Sequence, residues 1–178
     1  MTATTSATYA AWSWLTDLLA GQTWPAPPVG SDAVEVWFGD PQLPPPHIAA
    51  ALERVVVVGT VRTPGQEWGP AGNMAREEQF RVPIYVETAL PFDALVSTSA
   101  RQAAARLEAL TSTIELAVRA VNAARRAGPP PSEFARYPRW EVAVAEVVPM
   151  TPPGDAGSVG AAEVVVEFLF RVGTPPVA

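Results

Sequence analysis

The sequence predicts an α+β domain, with a mainly antiparallel sheet of about four to five strands packed by a long helix and a short N-terminal helix. Apolar residues alternate with polar ones from Phe80 to Glu87, and the alternation returns from Glu163 to Val172, as in strands with one buried face. Between these blocks, apolar residues recur at helical spacing from Ser97 to Arg126. Two half-buried strands and one long helix therefore form the framework of the prediction.

A short amphipathic helix is predicted before the first strand. Apolar residues recur there at roughly helical spacing and stop near Gly21. These residues are Tyr9, Trp12, Leu15, Leu18 and Leu19. A first strand follows from Val34 to Phe38, because apolar residues alternate there and turn residues come next, from Gly39 to Pro41. We expect the helix to lie on the sheet.

Two further strands have distinctive patterns. The stretch from Arg54 to Arg62 contains four consecutive valines, which predict a strand covered on both faces. Four β-branched residues in succession disfavour a buried helix. Another strand begins at Trp140, and its alternation changes phase at Glu146, which indicates a β-bulge or a bend.

Pro83 lies within the third strand. Proline cannot donate a hydrogen bond to a neighbouring strand, so this position is predicted at a sheet edge or facing an unpaired site. An edge next to a long loop is a place where another subunit could add. The alternative is an edge that proline merely protects.

Length and composition restrict the class of protein. The chain has 178 residues, which suits one domain over residues 1–178, and 20 prolines, which predict proline-rich loops. The net charge of −6 argues against a surface that grips nucleic acid, because phosphate binding needs concentrated Lys and Arg. No run approaches the ~20 apolar residues that cross a bilayer, and no basic region precedes the first apolar stretch. We expect no membrane contact, no secretory address and synthesis in the cytoplasm.

Residues with catalytic or metal-binding chemistry are sparse. His47 is the single histidine and cysteine is absent, so neither a multi-histidine site nor a thiolate site can form. Glu77 and Glu78 precede a strand, where alternation sends neighbours to opposite faces. Three more carboxylates at strand ends could meet in three dimensions, namely Asp40, Glu87 and Asp93. The sequence therefore predicts no enzyme, no cofactor and no metal.

A long loop from Thr63 to Ala75 joins the second and third strands. Prolines and glycines disfavour regular structure there, and the length favours recognition over simple connection. Trp68, near the middle, is a candidate interface anchor. The alternative is a lid over the edge of the core.

The succession of helix, three strands, long helix and two strands resembles the tail terminator proteins of long-tailed bacteriophages. The resemblance covers most of the chain, and the order and spacing of the segments carry it. The segments are Trp37 to Pro41, Arg54 to Gly59, Gln66 to Trp68, Arg76 to Ile84, the long helix, and Glu163 to Phe168. Proline-rich insertions at Pro44 to Pro46 and at Gly128 to Pro131 depart from a minimal member of that family.

This resemblance implies a homohexameric ring that caps the completed tail tube in the virion, at the junction of head and tail. The implied partners are other copies of the chain, the major tail tube protein and a head-completion or neck protein. DNA would pass through the channel without specific binding, and an acidic lumen would repel its phosphates.

Six residues are candidates for the contacts that such a ring needs, because a closed ring requires head-to-tail interfaces. The first three belong to the long loop, Gln66, Glu67 and Trp68. The next three lie beside the possible sheet edge, Arg76, Glu77 and Arg81. We expect these residues to make subunit contacts.

Two other functions remain open at the level of sequence. The chain could be another phage neck or head-tail joining protein, which would share the location in the virion and contact different neighbours. It could also be a small-ligand-binding α+β domain, whose pocket would be the apolar space between sheet and helix.

Overall fold

Helices lie against one face of a single sheet. The computed structural model describes residues 7–26, 33–41, 53–60, 76–89, 96–124, 131–135, 137, 139–150 and 159–172. In chain order the described elements are α1 (Ala7–Ala20), β1 (Glu35–Gly39), β2 (Glu53–Val58), β3 (Arg76–Ala89), α2 (Val96–Ala124), a 3₁₀ helix (Ser132–Phe134), β4 (Arg139–Met150) and β5 (Val159–Val172). This succession confirms the predicted α+β class. The predicted ends of the second strand at Arg62 and of the long helix at Arg126 fall outside the described residues.

The strand order across the sheet is β1-β2-β3-β5-β4. The pairs β2-β3, β3-β5 and β4-β5 are antiparallel, whereas β1 and β2 run parallel. The longest ladder joins β3 to β5, from Arg76 opposite Val172 to Ala89 opposite Val159. The sheet is therefore mixed and mostly antiparallel, as predicted.

Both helices bury their apolar stripes against the same face of the sheet. In α1, Leu15 and Leu19 are fully buried, as the helical spacing predicted, whereas Tyr9, which the same pattern included, is exposed. In α2, Leu110 and Ile114 are fully buried, and the neighbouring apolar positions of the stripe pack against the same core. We call this the helix-covered face. The other face, on which no described helix lies, is called the second face.

An aromatic cluster fills the core at one end of the sheet. Phe134, in the 3₁₀ helix, is fully buried at its centre. Its ring packs against aromatic rings from α1, β4 and β5, with centroid distances of 5.0 to 6.4 Å, and these are Trp14, Trp140, Phe168 and Phe170. Tilted and edge-to-face contacts of this kind stabilise beyond the area they bury. The cluster fixes the start of β4 beneath α1.

The two distinctive strand patterns are confirmed. Val55, Val56 and Val57 of β2 are all fully buried, although they alternate between the two faces of the sheet, and the fourth valine, Val58, is half-buried. In β4 the pairing with β5 shifts register between Val144 and Glu146, so the change of phase in the sequence reflects a β-bulge.

Pro83 was predicted at a sheet edge or facing an unpaired site, and the sheet edge is wrong. β3 runs between β2 and β5, and Pro83 is a buried residue paired with Val165 of β5. The described ladder between β2 and β3 ends one residue earlier, at Val57 opposite Ile84. Val58, the last residue of β2, would stand opposite Pro83, but the described pairs stop before it. Proline, which has no backbone N–H, is tolerated in a strand at a position where no neighbouring strand accepts a hydrogen bond from it.

A buried ion pair joins α2 to the sheet. Glu53, the first residue of β2, is fully buried. The guanidinium of Arg106 in α2 donates two hydrogen bonds to the Glu53 carboxylate, of 2.5 and 2.6 Å. Thr88 Oγ1 donates a third bond to the same carboxylate, 3.1 Å long. Arg106 also donates to the carbonyl oxygen of Pro25, at 2.9 Å, just after α1. Four segments of the chain therefore meet at one charge pair.

Close packing beside this pair depends on Gly160 of β5. A Cβ atom at this position would lie 3.2 Å from the carbonyl oxygen of Ala103 in α2 and 3.3 Å from the Thr88 methyl group. Because the glycine lacks that atom, α2 approaches the sheet closely enough for Arg106 to reach Glu53.

The first prediction concerns this ion pair. Arg106→Met leaves the Glu53 carboxylate buried without its charge partner, so we expect the free energy of unfolding to fall by about 3–5 kcal/mol. Chemical denaturation monitored by tryptophan fluorescence would measure the loss.

Two controls separate charge burial from lost packing. The double variant Glu53→Leu/Arg106→Met removes both charges, so we expect it to recover most of the loss. Arg119→Met, on the same helix, breaks an exposed pair with Glu115 at 3.3 Å and should cost less than about 0.5 kcal/mol. Equal losses in the single and double variants would contradict an uncompensated charge as the cause.

Candidate functional site

The structure distributes the six predicted interface residues unequally. Gln66, Glu67 and Trp68 lie outside the described residues. Arg76 and Glu77 are the first two residues of β3, where their backbones pair with Val172 and Arg171 of β5. Of the six, Arg81 is the one whose side chain is described, and it lies on the second face.

Arg81 is engaged within its own subunit. Its Nε donates a 2.7 Å hydrogen bond to Glu167, the residue directly opposite on β5. The two side chains are 41% and 27% exposed, so solvent screens the pair and its contribution to stability is small. A partner that recruits Arg81 must therefore compete with an existing, weak bond.

A second polar network lies on the same face at the next pair of strands. Arg54 of β2 donates a 2.5 Å hydrogen bond to Glu87 Oε2, and the Tyr85 hydroxyl donates to the same oxygen at 2.8 Å. Burial and the neighbouring Glu87 carboxylate raise the pKa of Tyr85 to about 12, because both disfavour a phenolate. The hydroxyl remains a hydrogen-bond donor across the physiological pH range.

The second face carries more acid than base. Two of the side chains that the structure describes on this face are arginines, Arg54 and Arg81. The acids that share the face are Glu35, Glu87, Glu141, Glu146, Glu163 and Glu167. Excess carboxylate on one face produces a negative potential that repels polyanions.

The β4 end of the sheet combines exposed apolar residues with a cleft. Val147 and Val148 are each 36% exposed and Met150 is 42% exposed. The cleft, of about 390 Å³, lies between α2 and the bulged part of β4. Its lining residues are Glu115, Val118, Arg119, Asn122 and residues 143–147. Asn122 donates a hydrogen bond to the Val142 carbonyl oxygen, which ties α2 to β4 beside the cleft.

The β1 end of the sheet carries exposed aromatic residues. Phe38 is 46% exposed, and its ring packs on Trp12 of α1 with a centroid distance of 5.2 Å. Tyr9, one helical turn before Trp12, is 59% exposed. Gly59 lies beneath the ring, since a Cβ atom there would come within 3.2 Å of Phe38. The Phe38 ring is thus held in place at the edge of the sheet, and about half of its surface is exposed to solvent.

Sequence reasoning did not identify either end as a site. The change of phase at Glu146 was a usable signal, because a bulge in an outer strand exposes consecutive residues such as Val147 and Val148. Phe38 gave no such signal, since it continues the alternation of an ordinary strand.

The described residues contain no group of three His, Asp or Glu side chains placed to hold a metal ion. Of the three carboxylates that could have met, Glu87 is bonded to Arg54, Asp40 is exposed directly after β1, and Asp93 lies outside the described residues. The single histidine, His47, also lies outside them. No helix in the described part of the chain is long and apolar enough to cross a membrane.

Comparison of this chain with models of protein families and with curated proteins finds no match.

The Tyr85 hydroxyl yields a test of the polar network. A pKa raised from 10.0 to about 12 means that the folded state holds the phenolic proton more tightly than the unfolded chain. The resulting stabilisation is complete below pH 10 and is lost as the pH rises through 12. Phenolate absorbance should therefore show one tyrosine that titrates near pH 12, and Tyr85→Phe should remove that step.

The Tyr85→Phe variant should also lose less of its free energy of unfolding between pH 10 and pH 12 than the parent protein does. A late titration step that persists in Tyr85→Phe would assign it to another of the three tyrosines and contradict the placement of this hydroxyl on Glu87.

Proposed function

We propose that this protein is a structural subunit of a bacteriophage tail, which forms a hexameric ring that terminates the tail tube and joins it to the head-completion or neck proteins. One observation carries the proposal. Segments on which the resemblance to tail terminators rests form strands of one sheet. They contribute the end of β1 (residues 37–39), most of β2 (54–58), the first part of β3 (76–84), and part of β5 (163–168).

An open sheet suits a ring because its two ends differ. Among the described residues, β1 pairs with β2 alone and β4 pairs with β5 alone. A ring needs head-to-tail contacts between two different surfaces, whereas a two-fold dimer uses one surface twice. The aromatic β1 end and the aliphatic β4 end supply two different surfaces.

The acidic second face supports a role next to DNA without binding to it. The chain carries a net charge of −6, and the described side chains of this face carry more carboxylates than arginines. Phosphate contacts need the reverse balance. A channel lined by such a face would let DNA pass without holding it, and a strongly basic lumen would contradict this part of the proposal.

The α2–β4 cleft favours a second candidate, a small-ligand-binding domain. Its volume of about 390 Å³ is within the range of ligand pockets. The ion pair of Glu115 with Arg119 lies at its wall, so a polar ligand would fit better than an apolar one. A neck protein other than the terminator is the remaining alternative, and it would close the head portal instead of the tail tube.

The proposal predicts a ring and a binding partner. We expect the particle mass, measured by light scattering across concentrations, to approach six copies, and electron micrographs to show rings on the ends of purified tail tubes. A monomer that ignores tubes and binds a small molecule would favour the ligand-binding candidate. Protein that binds head portals and leaves tubes bare would favour the neck protein.

Trp68→Ala tests the loop that the resemblance includes. We expect weaker ring formation with an unchanged melting temperature, because the sequence predicts Trp68 as an aromatic anchor of the interface. Leu116→Ala is the control, since Leu116 is 64% exposed on the outer side of α2. Unchanged assembly of Trp68→Ala would remove this residue from the interface.

A further inference from the structure

We infer that neighbouring copies of this chain contact each other through the two ends of the sheet, with Phe38 of one copy seated against the α2–β4 cleft beside Val147 of the next. The inference names the surfaces of the ring proposed above and rests on that proposal only for the closure of the ring.

The first support is the distribution of exposed apolar side chains. Six large hydrophobic residues are exposed in the described part of the chain. Five of them lie at the two ends, Tyr9 and Phe38 at one and Val147, Val148 and Met150 at the other. The sixth, Leu116, is on the outer side of α2. Apolar surface at opposite ends of one sheet matches the two surfaces of a head-to-tail contact.

The second support is alignment. Strand pairing places Phe38, Val57, Ile84, Val164 and Val147 in one row across the helix-covered face. The three inner residues are fully buried, and the two outer residues are the exposed ends of the same row. A copy placed beside this one, end to end, would continue the row and bury both exposed residues.

The third support is strand direction. β1 runs parallel to β2, and each later step across the sheet is antiparallel, so β4 runs opposite to β1. In a head-to-tail arrangement all copies have the same orientation. β4 of one copy would therefore meet β1 of the next in the antiparallel sense, which suits the majority of strand pairs.

The bulge and Pro149 weaken continuous backbone pairing along β4, since both protect an outer strand. Side chains therefore supply most of the contact. The bulge lies at the cleft, where Val144 and Val147 offer apolar walls and Arg119, 74% exposed, offers a cation to an aromatic ring.

The area of one such contact is that of a weak interface. The α1–β1 end is about 20 Å long, from the ~1.5 Å rise of each residue of α1, and a helix over a sheet is about 20 Å high. One contact thus covers about 400 Å² of each copy, and a ring subunit makes two. Each contact therefore buries about 800 Å² in total, about half the area of a standard interface, so a single contact is weak and assembly relies on the two contacts that each subunit makes in a closed ring. We expect assembly to depend on concentration.

Charge substitution tests the β4 surface. Val147→Asp places a carboxylate in the cleft, and we expect the concentration for half-assembly to rise about tenfold or more, because a desolvated apolar contact is replaced by a charge. Leu116→Asp is the matched control, with the same new charge on the outer side of α2. Both variants should melt as the parent does. Normal assembly of Val147→Asp, or equal loss in Leu116→Asp, would overturn the inference.

Cross-linking tests the pairing itself, and the chain favours it because it contains no cysteine. Phe38→Cys and Val147→Cys are made separately, with Tyr9→Cys as a second variant for the β1 end should loss of the Phe38 ring destabilise the fold. With a short bis-maleimide, we expect each variant alone to remain uncross-linked and an equal mixture of the two ends to give covalent dimers. Dimers from Val147→Cys alone would show a two-fold contact and overturn the head-to-tail pairing.

The outcomes also separate this inference from the proposed function. Rings that cap tail tubes without any cross-link would retain the function and reject these surfaces. Cross-linked rings that ignore tail tubes would retain the surfaces and reject the tail function. A chain that is monomeric both free and on tubes would reject both.

Discussion

The rest of this structure depends on one buried charge pair, between Glu53 and Arg106. Neither side chain has enough water around it to be stable alone, since Glu53 is fully buried and Arg106 is 12% exposed. The planar guanidinium meets the carboxylate through two bonds, so it fixes both the rotation and the translation of α2 relative to β2. The added bonds from Thr88 and to Pro25 extend that constraint to β3 and to the segment after α1.

Two different kinds of packing act at the two ends of the core. At the end where β2 begins, polar bonds and a glycine hold α2 close to the sheet. At the other end, aromatic rings around Phe134 fill the space between α1 and the sheet. Directional bonds set position, and the rings supply buried area. The helices are therefore held against the sheet at both ends of the core, and the β1 and β4 ends of the sheet belong to a rigid body.

Much of the fold was predictable because alternation and helical spacing report which side chains are buried. They gave the strands around Phe80 and Glu163, the doubly covered valines and the bulge near Glu146. They did not give the parallel pairing of β1 with β2, since periodicity carries no information about which strand lies beside which. For the same reason they could not decide between the two positions predicted for Pro83, a sheet edge and an unpaired site.

The candidate site was less predictable, because its geometry depends on contacts between distant parts of the chain. Arg81 is bonded to Glu167, which lies 86 positions later, and no local pattern marks that pair. Glu53 and Arg106 are likewise indistinguishable in sequence from a solvated acid and a solvated base. The surface at Phe38 and Val147 required the strand order before it could be recognised.

The bulge in β4 affects how this chain can be compared with distant relatives. Ala145 is the extra residue between Val144 and Glu146, and the residues on either side of it keep their faces relative to β5. Its deletion would regularise the strand and leave Val142, Val144 and Val147 where they are. Related chains can therefore differ in length by one residue here without exchanging inside and outside. An alignment that forbids gaps within strands would assign every residue from Glu146 to Met150 to the wrong face.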